Sequence, residues 1–213
     1  MIRFIGYYDY TVILTFLSLF SAVFGMTQAI QGNSMIAIFC LAFSGICDAF
    51  DGRVARKKKN RTQDEKNYGI QLDSLVDVIS FGVFPAMICY FLGVQGVLGM
   101  LLMAFFCSGA VTRLAFFNVQ EEKRQKKEGG CAKFYRGLPV TSVSFILPLV
   151  YWLHLLMPQQ AFVILLHVLL GCVGCLFILD FPLRKPGLKG ILMLIGIVLI
   201  LVAGILLAAY FTR

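Results

Sequence analysis

Seven long apolar stretches decide what this chain can fold into. They run over Thr11–Ile30, Ser34–Phe50, Leu72–Leu92, Gly96–Val119, Leu138–Met157, Ala161–Leu179 and Gly190–Phe211. A helix needs about 20 apolar residues to cross the hydrocarbon core of a bilayer, and lipid offers the backbone of a lone segment no other way to satisfy its polar groups. The second stretch is short, but a helical pattern carries it on through Ala55. Seven such segments take up roughly two-thirds of the chain and leave only short loops, with no separate extramembrane domain. Composition agrees: 59% of the 213 residues are hydrophobic and 14% are charged, where soluble domains carry about 25% charge. The expected fold class is all-α, a polytopic membrane helix bundle.

Loop charges give the bundle a direction. The connections near Gln31–Asn33, Gly93–Gln95 and Pro158–Gln160 hold no charged residue. Those on the other side, Arg53 to Lys66, Lys123 to Arg136 and Arg184 to Lys189, hold nearly all the basic residues, with Arg3 ahead of the first span. Basic loops stay in the cytoplasm, so the N-terminus and these three loops are expected there. The net charge of +8 is then an orientation signal, and no basic domain exists to bind nucleic acid. The first stretch lacks the short apolar core and cleavage site of a signal peptide and is read as a span. Most of the seven cysteines lie within apolar runs, which suggests no disulfide framework. Cys172 and Cys175 form a CxxC without a second ligand pair.

Against this background four carboxylates stand out. Asp48 and Asp51 lie at the cytoplasmic end of the second span, Asp73 and Asp77 in the first two turns of the third. Ionisable groups in a membrane cost several kcal/mol or more unless paired or hydrated, which makes them candidate functional residues. Spacings of three and four residues put each pair on one helical face. The second span runs inward and the third outward, so the pairs can face each other, with Asp48 and Asp77 deeper by about one turn, 5–6 Å. Four crowded carboxylates cannot all stay ionised without countercharge. Ion pairing with Arg53 and Arg56 accounts for one or two of them, not for four on two helices. Two divalent cations would neutralise the cluster, and an all-oxygen ligand set suits Mg²⁺ or Mn²⁺. A pair of such ions stabilises the attacking and leaving oxygens of a phosphoryl-type displacement. Gly52 leaves room for a ligand against the backbone, and Arg56 is a cation suited to phosphate oxygens.

Read from Asp48 the chain spells D-x-x-D-G-x-x-A-R, then from Gly69 G-x-x-x-D-x-x-x-D, through Asp48, Asp51, Gly52, Ala55, Arg56, Gly69, Asp73 and Asp77. This pattern resembles the signature of the CDP-alcohol phosphatidyltransferase family. The resemblance implies a six-helix catalytic core, here residues 1–189, and leaves 190–213 as an additional C-terminal transmembrane helix. It also implies a homodimer and a dinuclear metal site open to the cytoplasm. Asp48, Asp51 and Asp73 become principally metal ligands, Asp77 combines metal contact with general-base duty, and Gly52, Ala55, Arg56 and Gly69 hold CDP. Lys57–Tyr68 is twelve residues long where the family usually has eight or nine, and is expected to be an enlarged polar loop.

Within the family, GIQLDSLVDVISFGVFPA (69–86), RLAFFN (113–118), GLPVTS (137–142) and FPLRK (181–185) look like phosphatidylserine synthases, although Phe116 departs from the RLARFN form. The implied reaction joins CDP-diacylglycerol and L-serine to give phosphatidylserine and CMP, at the plasma membrane of a prokaryote. The serine carboxylate needs a cation. Arg113, inside the fourth span, is the first candidate, with a structural pair to one of the acids as its other reading; Arg136 is the second, or an ordinary positive-inside residue. Asn118 could bond substrate or cap a helix. His154 and His167 read as packing residues. Other acceptors, among them glycerol 3-phosphate, inositol phosphate and choline, stay open. A cation transporter is the alternative from another class, disfavoured because transport sites lie near the midplane while these acids gather at one interface.

Overall fold

The first six apolar stretches fold as helices in the expected order, in a computed structural model that describes residues 5–7, 10–58, 62–127, 134–184, 196 and 204. A 3-10 turn at Tyr10–Val12 leads into α1 (Ile13–Ile30), followed by α2 (Ser34–Lys57) and α3 (Gln63–Asp77). A π-helical segment, Val78–Val83, joins α3 to α4 (Phe84–Phe91). Then come α5 (Gly96–Lys127), a short strand β1 (Phe134–Arg136), α6 (Val143–Trp152), α7 (Gln159–Ile178) and β2 (Pro182–Arg184). Among the described residues five helical stretches are long and apolar enough to cross a membrane: Tyr10–Ile30, Ser34–Ala55, Gln63–Phe91, Gly96–Lys123 and Gln159–Ile178. The fold is that of a polytopic membrane helix bundle.

Three expectations need correction or limits. The fifth stretch, Leu138–Met157, forms a shorter apolar helix over Val140–Leu155. Its α-helical part is only Val143–Trp152, between two 3-10 turns and with Pro148 inside. Pro148 takes one N–H out of the ladder, yet α6 continues past it to Trp152. Of the enlarged loop expected over Lys57–Tyr68, Lys57 ends α2 and Gln63–Tyr68 begin α3. Thr62 caps α3 by accepting from the Glu65 N–H at 3.2 Å, and Glu65 accepts from the Thr62 N–H at 3.0 Å. This reciprocal box, with Asp64 and Glu65 in the positive first turn, starts the helix ahead of the apolar run. Lys58 adds an ion pair to Glu65 at 3.3 Å. The seventh stretch, and with it the boundary at 189/190, lies outside the described residues except for Gly196 and Gly204; a Cβ on Gly204 would stand 3.4 Å from the Trp152 indole nitrogen.

Small residues let the helices approach closely, as they do in membranes where apolar burial no longer drives association. α1 packs on α2 through Ala22, Gly25 and Ala29 against Ala37, Cys40 and Leu41. A Cβ on Gly25 would stand 2.7 Å from that of Cys40 and would overlap the Phe84 ring. Phe106 of α5 and Phe177 of α7 meet at 5.4 Å beside Gly109 and Gly174. Where α2 crosses α6, a Cβ on Gly45 would overlap the fully buried Ser144 hydroxyl. Gly45→Ala is therefore expected to destabilise the protein by about 1–3 kcal/mol, read as a lower melting temperature in detergent. Adding Ser144→Gly should recover part of that loss; no recovery would mean that another contact sets the spacing.

The bend after α3 has a local cause. Pro85 occupies the first turn of α4 and has no N–H, so the chain ahead of it widens by one residue. Phe84 N–H donates to Ile79, five residues back. This π segment begins immediately after Asp77.

Candidate active site

α2 and α3 bring the four acids together. Oxygens of Asp48, Asp73 and Asp77 all lie within 4.8 Å of one another. Across the helix pair Asp48 lies beside Asp77 and Asp51 beside Asp73. This is the pairing that antiparallel helices with acids three and four residues apart should give, with Asp48 and Asp77 as the inner pair. Asp51 and Asp77 are buried, while Asp48 and Asp73 are half-buried. Asp51 stands outside the group of three and accepts from the Thr15 hydroxyl of α1 at 3.2 Å.

A divalent cation fits this donor set. The ligands are hard oxygens on two fixed helices, close enough for one ion to touch three carboxylates. Asp73 Oδ1 is buried and bonds to nothing in the protein, an acceptor that a cation would satisfy.

Small residues border the acids toward the end of the bundle where α2 passes to α3. Gly52 and Ala55 follow Asp48 and Asp51 by one turn on α2, and Gly69 precedes Asp73 by one turn on α3. All three are half-buried. The backbone of Arg56 lies in the last turn of α2; its side chain is outside the described residues.

α5 runs antiparallel to α3 and the π segment. Ser74 donates to Asn118 Oδ1 at 2.8 Å, and a Cβ on Gly82 would meet that of Ala110 at 3.4 Å. Arg113 falls between these contacts, near the depth of Asp77. It is 6% exposed and donates through Nε to the Leu138 carbonyl at 3.2 Å and through Nη2 to that of Gly137 at 3.5 Å. Gly137 is built for this seat: its φ is +80°, and a Cβ there would stand 2.6 Å from the Leu179 carbonyl. Its N–H donates to Phe181 at 2.7 Å. The two-stranded ribbon then pairs Phe134 with Arg184, Tyr135 with Leu183 and Arg136 with Pro182. That places the backbone of Arg136 beside the end of α7; its side chain is outside the described residues. Asn118 thus bonds to a serine lying between two of the acids, and Arg113 ties α5 to the start of α6.

His154 packs at the far end of the bundle, and His167 lies half-buried midway along α7. His154 stacks on Tyr151 at 5.7 Å and bonds to Gln159 at 2.9 Å, and His167 reaches the Val163 carbonyl at 2.8 Å. Sequence reasoning missed Thr15 and Ser74. Thr11, Thr15 and Ser18 recur at helical spacing, but Ser21 and Thr27 lie in the same span, so spacing alone does not single out Thr15.

Residues 10–202 match the family model of the CDP-alcohol phosphatidyltransferases. The chain belongs to that family. Among similar proteins is the CDP-diacylglycerol–serine O-phosphatidyltransferase of Saccharomyces cerevisiae, 37% identical over 110 residues, or 50% of this chain and 38% of the relative. The enzyme of that name from Helicobacter pylori is 37% identical over 114 residues, 53% of this chain and 46% of its own. The archaetidylserine synthase of Methanothermobacter thermautotrophicus is 31% identical over 129 residues, 60% and 51% respectively. The matches thus span about half or less of these relatives. Within this chain the region matched by the family model contains the whole acid cluster and the α5 segment beside it.

Proposed function

We propose that this chain transfers a phosphatidyl group from CDP-diacylglycerol to the hydroxyl of L-serine, giving phosphatidylserine and CMP. The carrying observation is the meeting of Asp48, Asp73 and Asp77 within 4.8 Å at one end of a membrane bundle. An acid cluster at an interface can work on a diphosphate whose acyl chains never leave the bilayer. The acceptor assignment draws on the relatives, whose names share serine although the lipid differs.

In this reading Asp48, Asp51, Asp73 and Asp77 hold two divalent ions, Mg²⁺ or Mn²⁺. When bound, the ions offset the diphosphate charge and stabilise the leaving CMP. The chain's own groups do the rest. Gly52, Ala55 and Gly69 leave space for the nucleotide against α2 and α3, and Arg56 contributes positive charge. The serine oxygen attacks the phosphorus that carries diacylglycerol, the bond from that phosphorus to the CMP oxygen breaks, and Asp77 accepts the hydroxyl proton. Arg113 supplies a buried positive charge at the depth of Asp77 for the serine carboxylate, with Arg136 a second candidate. The site opens to the cytoplasm, on the side of the basic loops.

CMP release tests this directly. Purified full-length chain in detergent receives CDP-diacylglycerol, Mg²⁺ or Mn²⁺, and serine, glycerol 3-phosphate, inositol phosphate or choline in turn. Serine-dependent release that stops with chelator is expected. Release with another alcohol alone would overturn the acceptor, and no release from folded protein with any acceptor would overturn the reaction.

A further inference from the structure

The polar stripe on α1 has a division of labour that the signature does not contain. Thr11, Thr15 and Ser18 are all buried, and the same face continues with buried Ala22, Gly25 and Ala29. Hydroxyls thus occupy the half of α1 level with the acids, and small apolar residues the other half. A hydroxyl buried between helices has to find a partner. Ser18 and Ser44 bond to each other's backbone carbonyls, at 3.4 and 2.9 Å, and Ser18 lies 3.5 Å from the Ser80 hydroxyl in the π segment. Those bonds stitch helices together. Thr15 instead gives its hydrogen to a carboxylate, Asp51 Oδ2, at 3.2 Å.

We infer that Thr15 is a positioning residue for Asp51, holding one carboxylate oxygen against α1 so that the group presents itself to Asp73 and the cation. Asp51 is buried, and among the described residues the group of three within 4.8 Å does not include it, so its bond to α1 sets how it faces that group. A threonine hydroxyl on a helix can bond back to its own helix or reach outward; here it reaches outward, across the α1–α2 contact. Bonds from a second layer fix the orientation of metal-binding side chains, and their loss typically weakens metal affinity about 10- to 100-fold.

This inference rests on the divalent-metal reading of the acids, and direct Mn²⁺ binding separates the two. Binding is followed by electron paramagnetic resonance on the full-length protein in detergent, without lipid substrate. Native protein should bind Mn²⁺, Thr15→Val should bind at least about tenfold more weakly, and Thr15→Ser should bind like native. The half-saturating Mn²⁺ for CMP release should rise in Thr15→Val by a similar factor, with most of the turnover recovered at saturating metal. Ser18→Ala, which loosens the same seam without touching an acid, should bind Mn²⁺ normally. Native affinity in Thr15→Val, or equal weakening in Ser18→Ala, would overturn the positioning role. A native protein that binds no Mn²⁺ would overturn the metal reading and this inference together. Should Thr15→Val not fold, Thr15→Ala removes the same hydroxyl with less volume and is held to the same outcomes.

Discussion

Asp73→Asn is expected to abolish serine-dependent CMP release, by about a thousandfold or more, while leaving the protein folded. Asp73 belongs to the three-acid group and also meets Asp51, so it is the acid shared by both halves of the cluster. Asparagine keeps the shape and one acceptor oxygen but removes a negative charge. If the metal contributes several kcal/mol of transition-state stabilisation, its loss is worth at least three powers of ten. Stability supplies an independent sign. In chelator the native cluster holds like charges together, so Asp73→Asn should melt at the same temperature or higher. With saturating Mn²⁺ the native protein should gain stability, about 2.7 kcal/mol at a hundred times the dissociation constant, and the variant should gain little. Retained turnover together with a native metal-induced shift would remove Asp73 from the site.

Helix direction and residue spacing made the centre of this site legible in advance. Two pairs at three- and four-residue spacing, on helices of opposite direction, have few ways to meet, and the pairing of Asp48 with Asp77 and of Asp51 with Asp73 follows. Residues 58 onward were harder because a high density of Lys, Glu and Asn resembles a loop. Thr62 and Glu65 nevertheless stand three apart, the signature of a capping box, and that local bond set outweighs composition. The short length of α6 was not legible, since an apolar run measures burial and says little about where the α-helix starts and stops; α6 runs through Pro148 and ends at Trp152. Nor was the π segment legible. Its cause, Pro85, is local, but proline inside a helix can produce a kink, a break or a widened turn, and packing against α5 selects among them. Thr15 was hidden for a different reason: a hydroxyl on an apolar helix acquires meaning only from the side chain opposite, 36 residues away in sequence.

Asp77→Asn should separate chemistry from binding. Asp77 is 7% exposed, lies beside Asp48 across the helix pair, and is the last residue of α3 before the π segment. Its position at the inner end of the cluster is where an acceptor hydroxyl would lie if the diphosphate entered past Gly52 and Gly69. An asparagine there can still offer an oxygen to a cation but cannot take a proton at neutral pH. General-base removal typically lowers turnover by about 10²–10⁴. The expected result is a fall in kcat of that size, with equilibrium binding of CDP-diacylglycerol reduced far less and Mn²⁺ binding weakened but present. The contrast with Asp73→Asn carries the assignment, since both variants remove one charge from the same cluster. Equal loss of metal and of turnover in the two would make Asp77 a ligand like the others. Full turnover in Asp77→Asn would move proton acceptance elsewhere, and the side chain placed to inherit it is Asp48, whose carboxylate oxygen lies within 4.8 Å of that of Asp77.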